Sequence, residues 1–354
     1  MRLTGGTTRF RSMADVVRGV GGAARLIGGA AKAVGQQVPD EVLRLGRRAT
    51  GGRSLRDVVT GRHVMITGAS SGIGQAAAMK IARAGGIVLL VARTPETLES
   101  TREAIEQAGG EAHVHRCDLS DIEDIDNMAA EALERHGHVD ILVNNAGRSI
   151  RRSLALSYER FHDFERTVQL NYLGAVRLIL RLVPPMRERR YGQIVNISSI
   201  GVQTNTPRFS AYVASKSALD AFSRCIAPEV VSDNVKITTV YMPLVKTPMI
   251  APTNIYDAFP TLAPDEAAQM ICDALMDKPK RMATRLGTFG EILYAVSPKT
   301  VDLVLNTAYK IFPDSKAAKG EDDKADSSDS DGSGGGEMSS EAIAMAYLMR
   351  GVHF

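Results

Sequence analysis

The chain has 354 residues, 44% apolar and 23% charged, which excludes a collagen-like or wholly disordered polymer and allows one or two globular domains; no run nears the ~18–20 apolar residues of a membrane-spanning helix. Its three cysteines, Cys117, Cys225 and Cys272, make neither a disulfide framework nor a closely spaced zinc pair, so a cytoplasmic setting and no metal site are expected. The formal net charge of +3 hides an asymmetry, because residues 1–62 hold twelve Lys/Arg against four Asp/Glu, +8, leaving −5 for the remainder.

Residues 1–60 form a basic Gly/Ala/Arg-rich extension without a signal-peptide layout. Met13, Val20, Ile27 and Val34 recur every seven residues, and so do Arg18, Arg25 and Lys32 on the opposite side of a helix. Such a helix can lie on an anionic membrane surface, here the inner face. Its glycines weaken it, so a plain surface helix or loose tail is the competing reading.

From residue 61 the pattern changes. Val64–Thr67, Ile87–Val91, Glu111–Cys117, Ile141–Val143, Gln193–Ile197 and Lys236–Val240 read as short apolar strands. Helical patterns fall between them, as in Gly74–Ala84, Pro95–Ala108 and Ile122–His136. This alternation predicts an α/β domain over 61–314, a parallel sheet covered by helices on both faces. Residues 315–337 lack large apolar side chains and read as an acidic disordered linker. A short helix is predicted in 338–354, with Ser340 as N-cap and Ile343, Tyr347 and Leu348 on one face.

The first strand runs into a glycine-rich loop containing Gly68, Ser70, Ser71, Gly72, Ile73 and Gly74. Glycines there let the backbone approach a pyrophosphate at a helix N-terminus. The second strand ends without a carboxylate and is followed by Arg93, which suits the 2′-phosphate of NADPH. Asp118-Leu119 and Asn145-Ala146-Gly147 follow later strands, at the carboxyl edge where open α/β sheets bind ligands. Asp118 is placed to hold the adenine edge, and Asn145 and Gly147 to support cofactor and strand ends. Tyr212 and Lys216, at i and i+4, share a helix face, so the ammonium is expected to lower the phenol's pKa for proton exchange. A serine of the Ser198-Ser199 pair would hold the same substrate oxygen. Cys225 is expected to be a small core residue.

Together these motifs resemble the short-chain dehydrogenase/reductase family over about residues 61–312. The resemblance implies a Rossmann-type, doubly wound sheet of about seven strands, with Ser199, Tyr212 and Lys216 catalytic. It adds Asn171 as a fourth catalytic position holding a relay water, and Pro243, Val245 and Thr247 beside the nicotinamide and phosphates. Leu244 stands where the family usually has glycine, which puts that loop's backbone in question. Four segments, Asn145–Ser153, Arg160–Arg166, Arg208–Tyr212 and Tyr241–Pro252, resemble bacterial aldehyde-forming fatty acyl-CoA reductases more narrowly. That implies NADPH-dependent reduction of a long-chain acyl-CoA thioester to an aldehyde with release of CoA. Arg148, Arg151 and Arg152 are then candidates for reading the CoA phosphates, and residues around 250–262 would lid the pocket. A homo-oligomer is expected by the same resemblance, and no nucleic-acid partner. The alternative is a ketone reductase acting on a 3-oxoacyl chain; a cofactor-binding scaffold without catalysis is a third reading, which the complete constellation opposes.

Overall fold

The computed structural model describes residues 53–249 and 261–311, together with Asp314 and Ala318. The amphipathic arm, most of the acidic linker and the final helix predicted from sequence lie outside these residues. Seven parallel strands form one sheet in the order β3-β2-β1-β4-β5-β6-β7. They are β1 His63–Thr67, β2 Ile87–Ala92, β3 Glu111–Arg116, β4 Ile141–Asn144, β5 Gly192–Ser199, β6 Val235–Met242 and β7 Arg281–Met282. Strand order reverses between β1 and β4, which opens a crevice at their carboxyl ends.

The central strands are buried on both faces because both faces are covered, whereas the edge strands β3 and β7 carry charged and half-exposed residues. Val64, Ile66, Val88 and Leu90 pack in one cluster with Ala77 and Ile81 of α2 (Gly72–Arg83) and Ile271 and Leu275 of α9 (Pro264–Asp277). Met65, Leu89, Leu142 and Ile194 point the other way. They meet Ile125 and Met128 of α4 (Ile122–His136) and Leu178 and Leu182 of α6 (Ala175–Glu188). The remaining α-helices among the described residues are α1 Leu55–Val59, α3 Pro95–Gln107, α5 Phe161–Val168, α7 Gly201–Thr204, α8 Ser210–Val230, α10 Arg285–Val296 and α11 Pro298–Ile311.

Two boundaries differ from the sequence reading. The body starts before residue 61, because Ser54 and Asp57 close a capping box on α1 and Val58 and Val59 are buried in the core. It also runs past 314 into the segment read as linker. Asp314 pairs with Arg208 at 3.1 Å and accepts from the Ser153 amide at 3.2 Å. Ala318 is buried, and its carbonyl accepts from Arg152. Composition hides both features, since a five-residue helix and two anchoring residues leave no periodicity.

Candidate active site

A cavity of about 390 Å³ opens at the carboxyl ends of the strands. Every residue that the sequence assigned to the coenzyme lines it except Gly74, which lies beneath the loop. Gly68 and Gly72 have φ of +67° and +57°, conformations that favour glycine. A Cβ on Gly74 would stand 2.2 Å from the Gly68 carbonyl oxygen, so the first turn of α2 packs directly on the loop backbone. Asn145 clips this loop to β4: its side-chain amide donates to the Thr67 carbonyl at 3.0 Å. The Thr67 hydroxyl accepts from the Asn145 and Ala146 amides, each at 3.0 Å. Arg93 is exposed on the cavity wall at the end of β2. Asp118 accepts from the Ser120 amide at 2.9 Å, which sets the turn after β3. This cradle, closed to any side chain at Gly74 and open to solvent at Arg93, fits a dinucleotide.

Leu244 does not distort the loop after β6. It is fully buried and is not among the residues with positive φ, so no glycine is needed there. The loop is braced by a bridge between Val245 and Leu262, with Lys246 N–H to Leu262 O and Leu262 N–H to Leu244 O, each 2.9 Å. Pro243, Val245 and Thr247 consequently stand on the cavity wall.

β5 carries Ser198 and Ser199 as its last two paired residues, opposite Tyr241 and Met242, two residues further than the sequence suggests. α8 runs alongside β5 and presents Tyr212 and Lys216. Ser198 lines the cavity and Ser199 does not, but it is Ser199 that meets the tyrosine: its hydroxyl is hydrogen-bonded to the Tyr212 phenol and accepts from the Gly201 amide at 3.1 Å. The Lys216 ammonium donates to the Ile197 carbonyl at 2.8 Å. Burial of Lys216 pulls its pKa down to about 8. The Tyr212 phenol shifts upward, not downward as its spacing from Lys216 predicts. Burial is the larger cause, and the Ser199 hydroxyl works against it. A phenol held protonated near neutral pH is a proton donor.

Asn171 reaches the site through an irregularity that spacing does not reveal. Gln169–Gly174 is π-helical between α5 and α6, as is common where helices meet functional sites. This turn buries Asn171, whose amide donates to the Arg148 carbonyl at 2.9 Å and to Ser215 Oγ at 2.9 Å. Its oxygen accepts from the Arg148 amide at 2.8 Å. Asn171 thus fixes the backbone beside Gly147, whose missing Cβ would lie 3.2 Å from Lys216 Nζ. It does not itself line the cavity.

The three arginines after Asn145-Ala146-Gly147 part company. Arg148 lines the cavity and Arg151 and Arg152 do not. Arg152 instead pairs at 3.1 Å with Asp163, a buried carboxylate that also binds Arg160 at 3.3 Å and Arg166 at 2.6 Å. These cations hold the Asp163 carboxyl below its usual range despite burial. Sequence reading missed Asp163 as a hub, although its arginines at −3 and +3 are the signal. Cys225 is exposed, contrary to the core expectation, because it falls on the outer face of α8.

A family model described as short chain dehydrogenase matches residues 62–256. A fatty acyl-CoA reductase of Acinetobacter baylyi is 56% identical over 76% of this chain and 92% of its own. An uncharacterized oxidoreductase of Mycobacterium tuberculosis is 55% identical over 86% of this chain and 88% of its own. Among solved structures, a metagenomic short-chain oxidoreductase in complex with NADP is 28% identical, with a TM-score of 0.55 over 64% of this chain and 96% of that one. Fold, cradle and the Ser199–Tyr212–Lys216 geometry therefore agree with descent, and this chain belongs to the short-chain dehydrogenase/reductase family of oxidoreductases.

Proposed function

We propose that this oxidoreductase uses NADPH to reduce a long-chain acyl-CoA thioester to a fatty aldehyde, with release of the CoA thiol. The observation that carries the reading is the Ser199–Tyr212 hydrogen bond beside buried Lys216, at a cavity whose β2 edge presents Arg93 and no acid. The acyl-CoA assignment draws on the two relatives named fatty acyl-CoA reductase, at 56% and 46% identity. The NADP-bound neighbour supports the choice of coenzyme.

When bound, a reduced nicotinamide supplies the hydride. The chain's own residues do the rest. Ser199 and Tyr212 hold the thioester carbonyl oxygen and stabilise the charge that develops on it. Tyr212 passes its proton to that oxygen, giving a hemithioacetal. Lys216 stands one helical turn away, and its positive charge assists the phenolate that remains. Breaking the carbon–sulfur bond then yields aldehyde and CoA thiol, and no cysteine nucleophile takes part. Arg148, the one of the three arginines that lines the cavity, would meet the CoA phosphates. The basic arm holds the enzyme against an anionic membrane, where acyl substrates and aldehydes partition.

The test is palmitoyl-CoA with NADPH or NADH, followed by thiol release and product identification. Stoichiometric thiol and hexadecanal with a preference for NADPH are expected. NADPH loss on a 3-oxoacyl substrate but none on palmitoyl-CoA would assign ketone reduction instead. Removing residues 1–52, which spares α1, should release the protein from membrane fractions and leave its activity on soluble acyl-CoA intact.

A further inference from the structure

Five of the chain's seven histidines form one cluster of rings around His63 and His136, and none of them lines the cavity. His63 opens β1, His113 and His115 sit on β3, His136 ends α4, and His138 follows Gly137. The family motifs do not involve them, and the expectation of no metal site rested on the cysteines alone. Gly137, with φ +75°, closes α4 through a 2.8 Å hydrogen bond to the Leu133 carbonyl and turns the chain back toward β4. That reversal brings His138 and Asp140 beside His63.

His63 and Asp140 are joined backbone to backbone, because the Asp140 amide donates to the His63 carbonyl at 3.0 Å. The His63 amide in turn donates to Asp140 Oδ2 at 3.0 Å. The His138 Nε2 atom is 3.3 Å from that same oxygen. His63 Nδ1 is buried and has no hydrogen-bond partner. The His63 and His138 rings meet edge to face, with centroids 4.9 Å apart.

We propose that His63, His138 and Asp140 form a binding site for a divalent transition metal of the zinc class. One donor atom from each residue lies within 4.8 Å of the other two. Nitrogen and oxygen ligands about 2.0–2.2 Å from a tetrahedral ion stand roughly 3.3–3.5 Å apart. The His138–Asp140 edge already has that spacing, and the others close by at most about 1.5 Å, which imidazole rotation supplies. Two histidines and one carboxylate with a water in the fourth position suit zinc, while calcium and magnesium prefer all-oxygen sets. Arg189 and Arg62 bind the other carboxylate oxygen, at 2.9 and 3.4 Å, and aim Oδ2 at the imidazoles. Their charge weakens attraction for a dication, so the affinity falls below that of a cysteine-rich structural site. The metal would join the starts of β1 and β4, the strands that flank the crevice, far from the reacting groups. Its role is therefore structural.

The untagged full-length protein is titrated with ZnCl2 by calorimetry, and its Tm is measured with and without metal. A stoichiometry of one is expected, with a Tm rise of about 5 °C or more at zinc a hundredfold above Kd. Co2+ should give the visible absorption of a four-coordinate site, and Mg2+ and Ca2+ should give no shift. His138→Gln, at a half-exposed position, and His63→Gln should each lower affinity at least tenfold against their own metal-free baselines. His113→Gln, a neighbouring histidine outside the donor set, should not. No Tm shift with zinc, or a shift that survives both His63→Gln and His138→Gln, overturns the proposal. So does an equal loss of affinity in His113→Gln.

Discussion

Replacing Gly74 by alanine tests whether close backbone packing builds the coenzyme cradle. The added Cβ would lie 2.2 Å from the Gly68 carbonyl oxygen, 2.8 Å from its carbon and 2.7 Å from Asn145 Nδ2. All three belong to the frame of the loop, since Asn145 Nδ2 donates to the Thr67 carbonyl and, at 3.4 Å, to the Gly68 carbonyl. Relief requires α2 to move from the loop by about 1 Å, an overpacking that costs about 1–3 kcal/mol. Disturbing the Asn145 hydrogen bonds adds about 1 kcal/mol. Alanine returns about 1 kcal/mol through helix propensity. The net loss of about 1–3 kcal/mol lowers Tm by about 3–10 °C. A 1 Å shift of the phosphate-binding loop also weakens NADPH binding, by up to about a hundredfold. Gly109→Ala is the control. Its φ of +77° makes alanine strained, yet nothing lies within 4 Å of a Cβ there. It should cost about 1–2 kcal/mol of stability and leave NADPH affinity unchanged. The readouts are thermal unfolding and coenzyme titration by fluorescence. Unchanged NADPH affinity in Gly74→Ala, or an equal loss in Gly109→Ala, refutes the reasoning.

Tyr212→Phe should fold and bind NADPH normally but lose about 10²–10⁴ in kcat, measured by NADPH consumption. Lys216 predicts two opposed pH trends. Its ammonium is needed for proton delivery, so kcat/KM for reduction should fall above about pH 8. The unfolded lysine titrates near 10.5 and the folded one near 8, so between these values the unfolded chain binds the extra proton. The Lys216 contribution to stability should therefore rise from pH 8 to 10.5, and Lys216→Met should show a flatter denaturation profile over that window. Arg93→Glu should raise KM for NADPH at least tenfold and shift preference toward NADH, because a carboxylate repels the 2′-phosphate. Asp314→Ala should lower stability by about 3 kcal/mol, because it strands Arg208, a guanidinium buried over the Tyr309 ring. Full-length protein unfolding at the Tm of the parent would refute that anchor.

What could be read from the sequence followed from periodicity and from short motifs fixed to strand ends. The six apolar runs from Val64 to Val240 are strands in the structure, in a sheet whose order places the glycine loop, Asn145 and Ser199 along one edge. Seven parallel strands were implied by resemblance, and β7, only Arg281–Met282, has no pattern of its own. Asn171 could be named by motif match, but its hydrogen bonds to Arg148 and Ser215 could not, since a π-helical turn cannot be seen in residue spacing. Arg152 read as a ligand contact because a run of arginines does not disclose its partners. The buried Asp163 that claims it is eleven residues away. The upward shift of Tyr212 was likewise hidden: adjacency to Lys216 is written in the chain, and burial is not. Nor do five histidines scattered from 63 to 138 announce a cluster until the fold sets β1 and β3 on either side of β2 and His136, at the end of α4, meets histidines of both.

The bridge between Val245 and Leu262 has an evolutionary consequence. It fastens both ends of the intervening stretch to the body, so that stretch can be rewritten without disturbing the floor on which Pro243, Val245 and Thr247 stand. Closing a loop of twice the length costs only about 0.6 kcal/mol more. Insertion, deletion and recombination between Met249 and Thr261 therefore meet little resistance from stability. A lineage, or a protein engineer, can exchange that stretch as a cassette while Ser199, Tyr212 and Lys216 are inherited unchanged.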